Sequence, residues 1–148
     1  MRIFSFKYLV VCMPRRRRLR KVIAPPGFKG YKPYGANHSK NEFIELLYEE
    51  YEAIKLSDYD FMNHETAAKV MGISRPTFAR IYESARRKIA KAMVEVKEIR
   101  TVYGNALLDK NWYECHVCNA RFTIPKTQNK HCCAICSSIN INLLKNDI

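Results

Sequence analysis

The stretch Asn63–Lys88, NHETAAKVMGISRPTFARIYESARRK, decides how the rest of the chain is read. Asn63 is a good helix N-cap, because its side chain can accept an orphan amide of the first turn. A helix over His64–Met71 then carries Ala67 and Ala68, small enough for close packing, with Val70 and Met71 as core. Gly72 suits the left-handed position that ends a helix. Ile73 plugs the turn. Ser74 caps a further helix, with Pro76 in its first turn, where a missing N–H costs little. Helix, tight turn, helix is the layout of a helix-turn-helix, whose second helix enters the major groove of DNA.

That second helix reads as long. Phe78, Ile81, Tyr82, Ala85, Ile89, Ala92, Met93, Val96 and Ile99 recur at spacings of three and four, and Gly104 and Asn105 end the pattern. The half beyond Lys88 outruns a compact three-helix unit. It calls either for a second copy of the chain, as a homodimer through this C-terminal half, or for cover by residues 1–40 or the tail. The first turn exposes Arg75, Thr77, Ala79 and Arg80, the positions that meet base edges in such a helix. Arg pairs with guanine, and Thr or Ala touches a thymine methyl. Arg86, Arg87, Lys88 and Lys91 are placed for phosphates, which hold register without reading sequence. Taken alone, those cations would be an ordinary solvated face.

Upstream, residues 41–57 read as a first helix, with Phe43, Leu46, Leu47, Ala53, Ile54 and Leu56 as its apolar stripe. Its acids, Glu45, Glu49, Glu50 and Glu52, read as a solvated face. No His partner or metal motif stands nearby to put a carboxylate pair to work, so the chain is not read as an enzyme. Residues 13–40 form a basic arm rich in Pro and Gly, with one short strand over Leu19–Ala24. Within it, PPGFKGYKPYG either lies along a phosphate backbone or packs its aromatics on the domain. Residues 1–12 are a short apolar extension broken by Lys7, a poor signal peptide and, with its following arginines, a poor lipoprotein leader. Met13 is an alternative start. No run approaches the ~20 apolar residues that span a bilayer, and the expected place is the cytoplasm.

The formal charge is +12 over 148 residues, and it is clustered. Met13–Lys40 carries Arg15, Arg16, Arg17, Arg18, Arg20, Lys21, Lys29, Lys32 and Lys40 and no acid, whereas Asn41–Asp60 is strongly acidic. Clustered base implies a polyanionic partner, double-stranded DNA first among them.

Five of the six cysteines fall between Cys115 and Cys136. Cys115 and Cys118, then Cys133 and Cys136, make two CxxC pairs with fourteen residues between them. That spacing suits a four-thiolate zinc site, and a closed site of that kind is structural. Four cysteines also hold iron in rubredoxin fashion, the chemical rival. Cys132 is spare, and His116 and His131 are lesser candidates as ligands. Residues 110–148 look like a small β zinc ribbon, with Ser137 where glycine is commoner in the second knuckle.

MPRRRRLRKV at 13–22, LYEEYEAIKLSDYD at 47–60 and ETAAKVMGISRPTFARIYESARRKIAKAM at 65–93 closely resemble a family of small prokaryotic proteins. That family is a domain-of-unknown-function group of predicted DNA-binding proteins. The helical part is also similar to region four of bacterial sigma factors, through EYEAIKL at 50–56 and GISRPTFARI at 72–81. The resemblance implies that Arg75, Pro76, Thr77, Ala79 and Arg80 face the groove, and it raises RNA polymerase as a partner. Pro76 stands where sigma factors usually carry a polar residue. The expectation is therefore a mainly α chain: a sigma region-four-like helix-turn-helix over 41–103, a basic arm before it and a small zinc ribbon after it. The expected function is sequence-specific DNA binding as a transcriptional regulator. A sigma-like adaptor binding RNA or polymerase and an iron electron carrier are the alternatives.

Overall fold

The structure is a computed structural model that describes residues 18–35, 42–125 and 131–144. In chain order these form β1 (Arg20–Val22), β2 (Gly30–Tyr31), β3 (Phe43–Leu47), α1 (Tyr48–Ile54), α2 (His64–Met71) and α3 (Arg75–Val94). There follow β4 (Glu98–Val102), β5 (Ala106–Leu108), β6 (Trp112–Cys115), β7 (Arg121–Thr123) and β8 (Ile141–Leu143). A π-helical turn, Lys55–Tyr59, continues α1.

The middle of the chain forms as its capping residues direct. Asn63 Oδ1 accepts from the Thr66 amide at 2.9 Å at the head of α2. Gly72 closes α2 with φ 66° and ψ 33°, a conformation that a Cβ would strain. Ser74 Oγ accepts from the Thr77 amide at 3.3 Å to open α3, with Pro76 in the first turn. Around this turn Ala53, Leu56, Ala67, Ala68, Met71, Phe78 and Ile81 bury one core, with Met62, Val70, Ile73 and Tyr82 packed on it. His64 adds its ring to Phe78 at 5.2 Å.

The chain is not mainly α. Among the described residues three helices stand beside eight strands in three small sheets. The first expected helix, 41–57, begins only at Tyr48, because Phe43–Leu47 is strand. Ile44 is half-buried and Leu46 buried while Phe43 and Glu45 are exposed, so the period there is two, not 3.6. The long helix likewise stops at Val94 rather than near 103. Val96 takes φ 54°, a rare choice for a β-branched residue, and the Lys97 amide turns back to Ala92 O at 2.8 Å. Glu98–Val102 then pairs in parallel with β3, from Phe43↔Glu98 to Leu47↔Val102. Parallel neighbours need a crossover connection; here all three helices supply it.

The arm residues 20–31 are sewn into the body. β1 pairs in parallel with β5, and β2 pairs antiparallel with β4. Val22, Tyr48 and Ala106 form a second small core, with Tyr103 stacked on Tyr48 at 5.1 Å. Phe28 packs on Tyr51 at 5.8 Å, while Lys29 pairs with Glu114 at 2.7 Å. Of the loop's three rings Phe28 alone packs on the domain, while Tyr31 and Tyr34 are exposed, so neither reading of the aromatic loop holds for all of it.

The acids of α1 are not a solvated face. Glu49, Glu50 and Glu52 are all buried. Glu49 accepts from Arg20 Nη1 at 3.3 Å and from the Asn105 amide at 3.2 Å. Gly104, at φ 65°, lies against the Glu49 carboxylate and leaves no room for a Cβ. Glu50 takes the Leu47 amide, Ser84 Oγ and Lys88 Nζ at 2.9, 2.7 and 2.7 Å. Carboxylates so placed join strand, helix and arm instead of facing water.

Candidate metal centre and nucleic-acid surface

Two turns of the same design bring four sulfurs together. In the first, the Cys115 carbonyl accepts from the Asn119 amide at 2.9 Å, and Cys115 Sγ accepts from the Val117 amide at 3.4 Å. In the second, the Cys133 carbonyl accepts from the Ser137 amide at 3.0 Å, and Cys133 Sγ from the Ile135 amide at 3.4 Å. Asn119 and Ser137, each four residues beyond the first cysteine of its pair, both adopt left-handed backbone, φ 58° and 60°. A knuckle that bends back on its own sulfur requires that conformation, and glycine would meet it without strain. The antiparallel sheet β7-β6-β8 holds the two turns face to face.

The four Sγ atoms of Cys115, Cys118, Cys133 and Cys136 all lie within 4.8 Å of one another. Two cross pairs, Cys115–Cys136 and Cys118–Cys133, stand at 3.6 and 3.5 Å. A tetrahedral thiolate site with bonds of ~2.3 Å needs sulfurs about 3.8 Å apart. A disulfide needs about 2.05 Å, and these thiols are free. The residues therefore fit a metal ion. Cys132 is half-buried and stands outside the cluster, as do His116 and His131.

Backbone amides prepare the sulfurs for a cation. The Cys136 amide, then that of Ile135, holds the Cys133 thiol down to about 6, and the Cys118 amide lowers Cys115 likewise. For Cys136 the Ser138 amide pulls downward, but burial and the three neighbouring sulfurs push the thiol up to about 12. For Cys118 the Ala120 amide pulls downward, but burial and the sulfurs of Cys133 and Cys115 raise it. Within each pair the two thiols are thus shifted in opposite directions, and a bound cation takes both sulfurs as thiolates.

Arg121 on β7 ties this unit to the rest of the chain. It pairs with Glu114 at 3.2 Å, donates to the carbonyl of Pro26 and, at 3.4 Å, to that of Phe28, and lies 5.6 Å over the Tyr48 ring. Burial alone would raise the Glu114 carboxyl; the bond from Lys29 and the charge of Arg121 outweigh it and hold the group below the usual range. Sequence reasoning missed this docking, since Arg121 looked like part of a ribbon and no more.

On α3 the structure sorts the expected DNA-contact residues. Arg75 and Arg80 are exposed, and Ala79 is half-exposed beside them. Thr77 is half-buried, with its hydroxyl 2.8 Å from Ser74 Oγ. Arg86 lies 5.5 Å over the Tyr82 ring, and Arg87 pairs with Glu83 at 2.8 Å. Lys88 is held by the buried Glu50 and points its ammonium inward. Arg18 is exposed, while Arg15, Arg16 and Arg17 lie outside the described residues. Among the described residues no helix is long and apolar enough to cross a membrane.

Fold and cysteine cluster together define a mixed α/β protein that carries a four-cysteine cluster able to hold a metal ion. The chain belongs to the family described as "Protein of unknown function DUF134", whose signature matches residues 10–108. A UPF0251 protein of Chloroherpeton thalassium is 38% identical over 133 residues, covering 90% of this chain and 88% of the relative. One of Methanothermobacter thermautotrophicus is 37% identical over 132 residues, 89% of this chain and 68% of the relative. One of Pelotomaculum thermopropionicum is 39% identical over 128 residues, 86% and 96% respectively. No solved structure matches the chain.

Proposed function

We propose that this protein binds double-stranded DNA with sequence selectivity through α3, as a regulator of transcription, and is not an enzyme. The observation that carries the reading is the α2–Gly72–α3 unit, which presents Arg75, Ala79, Arg80 and Arg87 on solvent-facing positions of its second helix. The net charge of +12 supplies the attraction to phosphate. Arg75 and Arg80 meet base edges, Arg86 and the arm arginines meet the backbone, Arg87 stays paired with Glu83, and Lys88 stays with Glu50.

The ion held by Cys115, Cys118, Cys133 and Cys136 is zinc in this reading. Four thiolates fill a tetrahedron and leave no open position for substrate, so its part is structural. Metal analysis with an absorption spectrum separates colourless zinc from red rubredoxin-type iron. A one-to-one iron content would overturn the zinc assignment and favour electron transfer. A second reading, an adaptor for the transcription machinery such as RNA polymerase, draws on Val117, Ile135 and Ile139, apolar and exposed on or next to the knuckles.

DNA binding is tested by titrating labelled random-sequence duplex with the metal-loaded full chain across a salt series. The expected result is a log–log salt dependence of slope about −3 to −6, from several phosphates neutralised, and on a duplex selected from that pool Arg80→Ala weakens binding ~10-fold. Failure to bind duplex at low salt would sink the proposal.

A further inference from the structure

The outward face of α3 carries an acid in the midst of its cations. Phe78, Ile81, Ala85 and Ala92 turn into the core. With 3.6 residues per turn, the opposite ridge runs through Pro76, Ala79, Arg80, Glu83, Arg87 and Ala90. Glu83 is exposed at the middle of that ridge. Arg87 Nε donates to its Oε1 at 2.8 Å. The pair lines a shallow depression with Ala79, Arg80, Ser84 and Lys88.

A helix that only tracks phosphate gains from each cation and loses from a carboxylate, whose charge repels the backbone. A carboxylate on a groove-facing ridge has a different match, the amino group of cytosine, which is a donor exposed in the major groove. Neighbouring groups do not compete for that role. The two nearby hydroxyls are engaged elsewhere, Thr77 with Ser74 and Ser84 with Glu50. Ala79, one turn earlier, is small enough to let the ridge approach base edges closely. Arg87 fixes the Glu83 rotamer and neutralises part of its charge while the helix nears the duplex.

We propose that Glu83 is a specificity-determining residue that accepts a hydrogen bond from a cytosine amino group, with Arg87 holding it in place. This rests on the DNA-binding reading above. It adds a residue and a base that neither the sequence motif nor the family resemblance singles out.

The experiment is selection from random duplex DNA with the metal-loaded full chain, run in parallel on wild type, Glu83→Gln and Glu83→Ala. Glu83 is exposed and outside the core, and matching thermal melts of the three proteins check that the fold is intact. The expected result is an enriched wild-type motif containing a fixed cytosine, whose preference over the other bases falls about 10-fold in Glu83→Ala. Glu83→Gln, keeping size but able to donate as well as accept, shifts the preferred base at that same position. A wild-type motif reproduced unchanged by both variants overturns the role of Glu83 and leaves DNA binding standing. Enrichment of no sequence by wild type overturns base readout by α3 and the role of Glu83 together.

Discussion

Glu52 is a carboxylate with no exposed surface, and neither of its oxygens has a hydrogen-bond partner. Burial pushes its pKa above the usual range, against a partial pull from Lys55, 3.8 Å away, and a weaker one from the Ile23 amide, which lies close to the carboxylate but short of good hydrogen-bond geometry. Asp60 and Asp109 add to the upward push. The sign of the linkage follows. Below the ordinary value of 4.5 both folded and unfolded chains hold the proton. Above it the unfolded chain releases the proton first, so stability falls as pH rises towards the folded value. Glu52→Gln should therefore melt higher than wild type at pH 7, by about 4 °C for each ~1 kcal/mol recovered. The gap should close below pH 4.5. Melting curves of both proteins from pH 4 to pH 8 check this (~1-unit steps suffice). A variant that melts lower at pH 7 would contradict it.

Between elements, Glu50 does the joining. Its carboxylate collects the last amide of β3, a hydroxyl from α3 and the Lys88 ammonium. This explains why a lysine beside exposed arginines turns its ammonium into the body. Glu50→Gln should lower stability by about 2 kcal/mol, the scale for a hydrogen bond to a charged group whose partner is left behind. Urea unfolding should show an earlier midpoint with an unchanged slope. The same substitution frees Lys88, so duplex affinity at low salt should hold or rise. Loss of affinity with an unchanged urea midpoint would mean that Glu50 serves the DNA surface directly.

At the scale of the molecule, two bodies with separate cores meet through a few polar contacts. The helical core rests on apolar packing around Phe78, whereas the cysteine unit buries little beyond Cys115, Phe122 and Cys133. A core that small does not hold a fold without a cross-link or metal. Chelation should therefore unfold β6–β8 while α1–α3 persist. Hydrogen exchange after chelator treatment should show protection lost over Trp112–Leu144 and kept in α2 and α3. Equal loss in both regions would show that the ion stabilises the whole chain. Arg121 and Lys29 mark where the two bodies touch, so the amides of Gly27, Phe28 and Lys29 should also exchange faster on chelation.

By itself the sequence determined the local punctuation and the cysteine cluster. Asn63, Gly72 and Ser74 place the helix ends because caps act within one turn, and CxxC spacing brings sulfurs together because each knuckle is a local turn. Only the tertiary structure decided that 43–47 and 98–102 are strands. An apolar segment of that length satisfies a helical stripe as readily as a ladder, and its ladder partner lies far along the chain, Phe43 opposite Glu98 and Leu47 opposite Val102. The end of α3 at Val94 was equally hidden, because no glycine marks it and Val96 itself takes the left-handed turn. The fate of the charges was decided the same way. Glu49, Glu50 and Glu52 look like a wet face until the arm, Asn105 and Lys88 arrive over them, and those partners are distant in sequence.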